Sequence, residues 1–291
     1  MADREVELLS SMPALGPLFA KALLPRVAKG PARVPGHTAV VTGIQPDPDR
    51  LADYDRVCGF ALRDHVPPTW LHVLTFPLHV HLLGGADSTI RLAGAVHVAN
   101  RMRLHRPVGV TEVLDAAVRI ENLRPHRRGA QFDVIGEVRV GDELVWDGAS
   151  TYLASGATVE RAPEATVPPG PTDDGGPEPV RPIATWRLPA DLGIDYRRVS
   201  GDPNPIHTSR LAARVFGFAR PIAHGMWTHA RLLAALEPRL PDAYAVEARF
   251  ARPILLPATV GAWWHQDADG WTAAVTTRDG TKPYLLAALH P

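Results

Sequence analysis

Cysteine is all but missing from this chain. Cys58 stands alone among 291 residues, so no intrachain disulfide can form and a cysteine-built zinc site is excluded. That usage fits a reducing, cytoplasmic setting. An excess of charge is missing too: 31 Lys and Arg face 31 Asp and Glu, a formal net charge of zero. Non-specific nucleic-acid binding needs a basic surplus and is not expected. The opening residues MADREVELLSSMPALGPLF mix Arg4 with Asp3, Glu5 and Glu7, without the basic-then-apolar order of a secretory signal. No uninterrupted apolar run approaches about 18 residues, so no membrane span is expected.

What remains is the composition of a globular protein, with 45% hydrophobic and 21% charged residues. That is enough apolar surface for a sizeable core, and the length predicts about two domains. Proline is abundant, at 29 residues, and clustered. Residues 156–182 are rich in Pro, Gly and acidic side chains with almost no apolar periodicity, and read as a linker. It separates a first domain over 35–155 from a second over 183–291, and residues 1–34 form an N-terminal extension.

The two halves are related. Asp53-Tyr-Asp-Arg-Val-Cys-Gly-Phe60 resembles Asp195-Tyr-Arg-Arg-Val-Ser-Gly-Asp202, and the same offset sets His65 against His207. Further on, VHVANRMRLHRPVGV (96–110) resembles VEARFARPILLPATV (246–260). Two matches in the same order argue for a duplicated fold. Each half reads as a loop and short helix, a longer apolar helix, and then a run of alternating strands. In the first half the strands are predicted at TIRLAGAVHV (89–98), 112–123, 129–140 and 143–154. In the second, SRLAARVF (209–216) and 225–240 are predicted helices, ahead of four more strands. The pattern is α+β, with a helix packed on one face of an antiparallel sheet.

The segment between Tyr196 and His207, YRRVSGDPNPIH, concentrates the polar chemistry. Pro203 and Pro205 fix their own φ angles and hold Asp202 and Asn204 extended. A stiff, non-helical loop can thus aim an Asp, an Asn and a His at one point. Ala223-His-Gly-Met226 follows at the start of the long predicted helix, where free backbone N–H groups and the helix dipole can hold an oxyanion.

These residues resemble the MaoC-like family of R-specific enoyl-thioester hydratases and (3R)-hydroxyacyl-thioester dehydratases. The family pattern Tyr-x-x-hydrophobic-Ser/Thr-Gly-Asp-x-Asn-Pro-hydrophobic-His is complete here, and Ala-His-Gly-Met is family-like. The resemblance implies a double hotdog: two tandem domains, each a long helix wrapped by an antiparallel sheet. It implies Asp202 and His207 as the catalytic acid/base pair, Asn204 as a positioning residue and the Gly225 N–H as the oxyanion hole. It implies CoA or acyl-carrier protein as the substrate's carrier, with no metal or redox cofactor, and allows a homodimer of such chains. The first copy departs from the pattern. Phe60 replaces Asp202 and no Asn-Pro follows, so that half is expected to be non-catalytic, with a buried Phe60 and room for the acyl chain. Two other readings are a hotdog acyl-thioesterase and a non-catalytic acyl-thioester-binding subunit.

Elsewhere the plain readings prevail. His65 reads as a structural or surface residue. His79 and His81 diverge if helical, and so make a poor metal pair. Arg124, Arg127 and Arg128 read as a solvated turn more than as a site for CoA phosphates.

Overall fold

A computed structural model of the chain describes residues 4–23, 30–90, 95–160 and 181–291. Its first half contains β1 (Val6–Leu8), α1 (Leu15–Leu23), β2 (Thr38–Ile44), α2 (Pro48–Cys58), α3 (Pro68–Gly84), β3 (Ala95–Leu104), β4 (Leu114–His126), β5 (Gly129–Val140) and β6 (Glu143–Ser155). The second contains β7 (Ala184–Leu188), α4 (Leu192–Ser200), α5 (Arg210–Val215), α6 (Gly225–Leu236), β8 (Tyr244–Phe250), β9 (Ala258–Asp267), β10 (Gly270–Thr277) and β11 (Pro283–His290).

The eleven strands among the described residues form one sheet, in the order β1-β2-β4-β5-β6-β3-β8-β11-β10-β9-β7. Apart from β1, each half is the other read backwards: β2, β4, β5, β6 and β3 answer β7, β9, β10, β11 and β8. The halves join where β3 pairs antiparallel with β8, from Ala99↔Arg249 to Leu104↔Tyr244. Arg103-Leu-His-Arg-Pro107 echoes Arg249-Phe-Ala-Arg-Pro253. By that alignment the equivalent residues Arg101 and Glu247 face each other in the ladder. A pseudo-two-fold axis through this pair is what a duplicated chain needs to imitate a dimer. This is the double-hotdog arrangement.

The two long helices, α3 and α6, are buried along most of their length. α3 buries Trp70, Leu71, Val73, Leu78, Val80, Leu82 and Leu83, and a helix apolar on every side is stable only when surrounded. β5 alternates buried and half-buried residues along its length, as a strand with one face on a core does. The repeat read in the sequence falls on α2 and α4. Each ends on a glycine in the left-handed region, Gly59 at φ 83° and Gly201 at φ 77°, a conformation that costs glycine little. The paired Tyr54 and Tyr196 are buried and meet near the axis, with ring centroids 6.1 Å apart.

The leading strand of each half, β2 and β7, is absent from the sequence reading. β7 is only five residues long between Pro182 and Pro189, and β2 ends near Pro46 and Pro48; proline punctuation hides short strands. The third strand runs over 95–104 rather than 89–98, with 91–94 outside the described residues. Most of the predicted linker, 161–180, also lies outside them. The N-terminal extension joins the sheet: β1 runs parallel to β2, and Glu7 accepts from His37 Nε2 at 3.0 Å and His81 Nε2 at 2.9 Å. Phe60 corrects an expectation. It is only half-buried, stacks on Tyr54 at 6.4 Å, and does not reach the cleft described next.

Candidate active site

Gly201 turns the chain out of α4 and delivers Asp202 to a short, self-bonded loop. Asp202 Oδ1 accepts from the Asn204 N–H at 2.9 Å, and Asn204 Oδ1 accepts from the Ile206 N–H at 3.3 Å. The second bond caps a single 3-10 turn over Pro205–His207. Asn204 therefore acts on the loop that carries His207 and also lines the cleft.

His207 is buried, and its Nδ1 lies 2.8 Å from the Ile222 carbonyl oxygen. A carbonyl can only accept, so Nδ1 carries the proton and Nε2 keeps a lone pair. The His224 ring stacks on His207 with centroids 3.6 Å apart and planes 24° apart, and His224 Nε2 is 3.7 Å from Asp202 Oδ2. One polar atom from each of Asp202, His207 and His224 falls within 4.8 Å of the others. Burial pushes the Asp202 carboxyl up, against the lowering effects of His207 and the Asn204 N–H. Burial pushes His207 down, partly opposed by Asp202 and the Ile222 bond. Burial and the neighbouring His207 hold His224 well below its usual range. A carboxyl pushed up beside an imidazole pushed down is a pair with separable acid and base roles.

Gly225 is the first residue of α6, which has no side-chain cap. Its first-turn N–H groups are therefore free to meet an anionic oxygen. A Cβ on Gly225 would stand 3.1 Å from the Phe250 ring, so the glycine also keeps the wall thin. The first half lacks this donor. There the long helix begins Pro67-Pro68, and proline has no N–H to offer.

These groups open on a cleft of ≈ 390 Å³. Asp202, His207, His224 and Gly225 line it from the second half, and His72, Phe76 and Tyr152 line it from the first. The Asp202 side chain is 19% exposed and so within reach of a bound molecule. His65 lies outside, at the surface beside Asp64. His79 is buried while His81 reaches Glu7, so the two diverge. Arg124 is paired with Asp133 at 2.9 Å, and Arg128 lines the cleft.

His224 and Gly193 are site residues that sequence reasoning left unassigned. His224 carried a signal in its place beside Gly225. Gly193 carried none, because its role is purely spatial: a Cβ there lands on the His207 carbonyl. Gly193→Ala is expected to push the His207 turn away, costing about 1–3 kcal/mol of stability and most activity. Thermal melts and initial rates check this; a variant equal to the parent in both shows that the turn tolerates displacement.

Residues 172–283 match the family model described as MaoC like domain. The chain is 37% identical over 258 residues to 3-hydroxyacyl-thioester dehydratase X of Mycobacterium tuberculosis, covering 89% of this chain and 90% of that protein. The crystal structure of HtdX from the same organism superimposes with a TM-score of 0.76 at 36% identity, over 87% of this chain and 99% of that one. A conserved hypothetical protein of M. tuberculosis, described as a double hotdog, superimposes at a TM-score of 0.51 and 15% identity over 92% of this chain and 100% of that one. The last likeness is one of fold.

Proposed function

Because the chain belongs to the MaoC-like 3-hydroxyacyl-thioester dehydratases, we propose that Asp202 and His207 are the groups that move its protons. The reaction interconverts a 3-hydroxyacyl thioester with its 2-enoyl thioester and water. In the hydration direction His207 Nε2 takes a proton from water as the hydroxide oxygen bonds to the β-carbon. Asp202, whose carboxyl is pushed up by burial, delivers a proton to the α-carbon. Dehydration runs the same steps backwards: the Asp202 carboxylate removes the α-proton and the His207 imidazolium protonates the departing hydroxyl. Negative charge gathers on the thioester oxygen between the steps, and the Gly225 N–H receives it. Losing one such donor typically costs about 10²–10³ in rate. His224, neutral and stacked on His207, positions that ring.

The observation that carries this reading is the convergence of Asp202, His207 and His224 within 4.8 Å on a cleft that both halves line. The same three groups are poorly set for a metal. Near-parallel stacked rings aim their in-plane lone pairs side by side, whereas a tetrahedral ion needs them to converge. A thioesterase with a carboxylate on its long helix is disfavoured as well, since neither GMWTHARLLAAL of α6 nor PTWLHVLTFPLHVHLLG of α3 contains Asp or Glu. The carrier is proposed to be CoA or acyl-carrier protein, with the exposed Arg128 and Arg252 at the cleft suited to a phosphate. The lone, buried Cys58 favours a cytoplasmic location; among the described residues no helix is long and apolar enough to cross a membrane.

Incubation with crotonyl-CoA tests the reaction. Enoyl absorbance is expected to fall with no release of free thiol. Thiol release instead makes the chain a thioesterase, and loss of neither signal makes it a binding subunit.

A further inference from the structure

The cleft has a second polar wall, and the non-catalytic half supplies it. His72 of α3, His97 of β3 and Tyr152 of β6 all line the cavity. Their rings form one column. His72 stacks on His97 with centroids 5.8 Å apart and planes 21° apart, and His97 stacks on Tyr152 at 4.8 Å and 18°. Phe132 backs Tyr152 at 5.6 Å. The column starts beside the chemistry, because the Phe250 ring that abuts Gly225 also lies 4.9 Å from His97. Burial, and then the neighbouring Asp202 carboxyl, pushes the Tyr152 phenol up.

A plain alkyl chain needs none of this. Leucine or phenylalanine fills the same space without setting imidazole nitrogens in a dry wall, where an unmet polar atom is costly. Yet His97 Nε2 has no hydrogen-bond partner among the described residues. Burial also keeps the wall uncharged: His72 is lowered to about 4, and His97 lies well below its usual range. Neutral imidazoles and a phenol offer both donors and acceptors but no charge. Their match is a group that can do both, which is a hydroxyl rather than a carboxylate or an amine.

We propose that the His72–His97–Tyr152 column recognises a hydroxyl on the acyl chain beyond the reacting double bond, so that oxygenated enoyl thioesters are preferred over plain alkyl ones. The proposal rests on the dehydratase reading and narrows its substrate class. The test compares kcat/KM for (E)-6-hydroxyhex-2-enoyl-CoA and (E)-hept-2-enoyl-CoA, in which a methyl replaces the hydroxyl. A preference of about tenfold or more for the hydroxylated chain is expected, because a site built to bond a hydroxyl rejects the analogue that lacks it. Tyr152→Phe and His72→Leu, each checked for fold by circular dichroism, should bring the ratio towards one. Equal or reversed preference in the intact chain overturns the inference. A preference kept in both folded variants overturns its assignment to these residues. Crotonyl-CoA, with only a methyl beyond the double bond, is run alongside; if the intact chain fails to hydrate it, the dehydratase reading is what has failed.

Discussion

Asp202→Asn is expected to leave the fold intact and lower the hydration rate by about 10²–10⁴, the usual worth of a positioned acid/base group. The amide keeps the shape of the carboxyl. Its carbonyl oxygen can still accept the Asn204 N–H that Asp202 Oδ1 accepts at 2.9 Å, so the loop keeps its form, but the group can no longer exchange a proton with the α-carbon. His207→Ala is expected to lose a similar factor. Here the proton acceptor goes, and the Ile222 carbonyl that Nδ1 met at 2.8 Å is left without its donor. The double variant should be little slower than the worse single one, because the whole conversion needs both groups and losing either blocks it. Initial rates on crotonyl-CoA, with circular dichroism to verify the fold, decide the matter. An Asp202→Asn enzyme within threefold of the parent removes Asp202 from the chemistry, and losses that multiply in the double variant assign the two groups independent roles.

The second large effect is expected on stability, as pH falls. His72, His79 and His229 are 4%, 2% and 0% exposed, and burial lowers all three, His72 to about 4 and His229 to about 3. For a histidine with a depressed folded-state pKa, the unfolded chain takes up the proton first. Stability is therefore complete above the unfolded value of about 6.5 and drains away below it, until the folded value is reached. At pH 5 the loss is about 2 kcal/mol each for His72 and His229, and His79 and His97 act in the same direction. Asp55 opposes them. Burial, and then the charge of Glu237, raises it to about 7, so it favours the folded state as pH drops and returns about 2–3 kcal/mol by pH 5. The histidines outweigh it, and Tm is expected to fall by several degrees between pH 7.5 and pH 5. His72→Phe should flatten that slope. A Tm that holds or rises on acidification contradicts neutral burial of these rings.

Local features of the site were legible in the sequence because they depend on neighbours along the chain. The cap glycines Gly59 and Gly201, the proline-stiffened loop from Asp202 to His207 and the helix start at Gly225 all belong to that class. What the sequence hid was relation across the duplication. Trp70-Leu-His72 answers Trp227-Thr-His229, yet the echo passes unseen because Trp70 follows Gly59 by eleven positions and Trp227 follows Gly201 by twenty-six. The extra stretch in the second half is the one that holds Asp202, His207 and α5. Once the tryptophans are aligned, Pro68 falls on Gly225, so the first half departs from the second at the helix start as well as at Phe60. Spatial requirements were hidden as well. No spacing shows that Gly193 must clear the His207 carbonyl, or that His207 and His224 stack. The placing of Phe60 failed for a related reason, since without the longer loop the residue aligned with Asp202 is directed onto Tyr54 instead of the cleft.

The stereochemistry of hydration tests the site most directly. In the proposed mechanism the thioester oxygen is anchored at the Gly225 N–H and the water is held by His207, whose ring meets the Ile222 carbonyl and stacks on His224. One anchored end and one positioned water leave a single face of the alkene open to attack. Hydrated crotonyl-CoA can be assayed with coupled dehydrogenases specific for each enantiomer. The (3R)-hydroxy product is expected throughout the reaction. A mainly (3S) product contradicts the arrangement of Asp202, His207 and Gly225, even if all three prove essential for turnover.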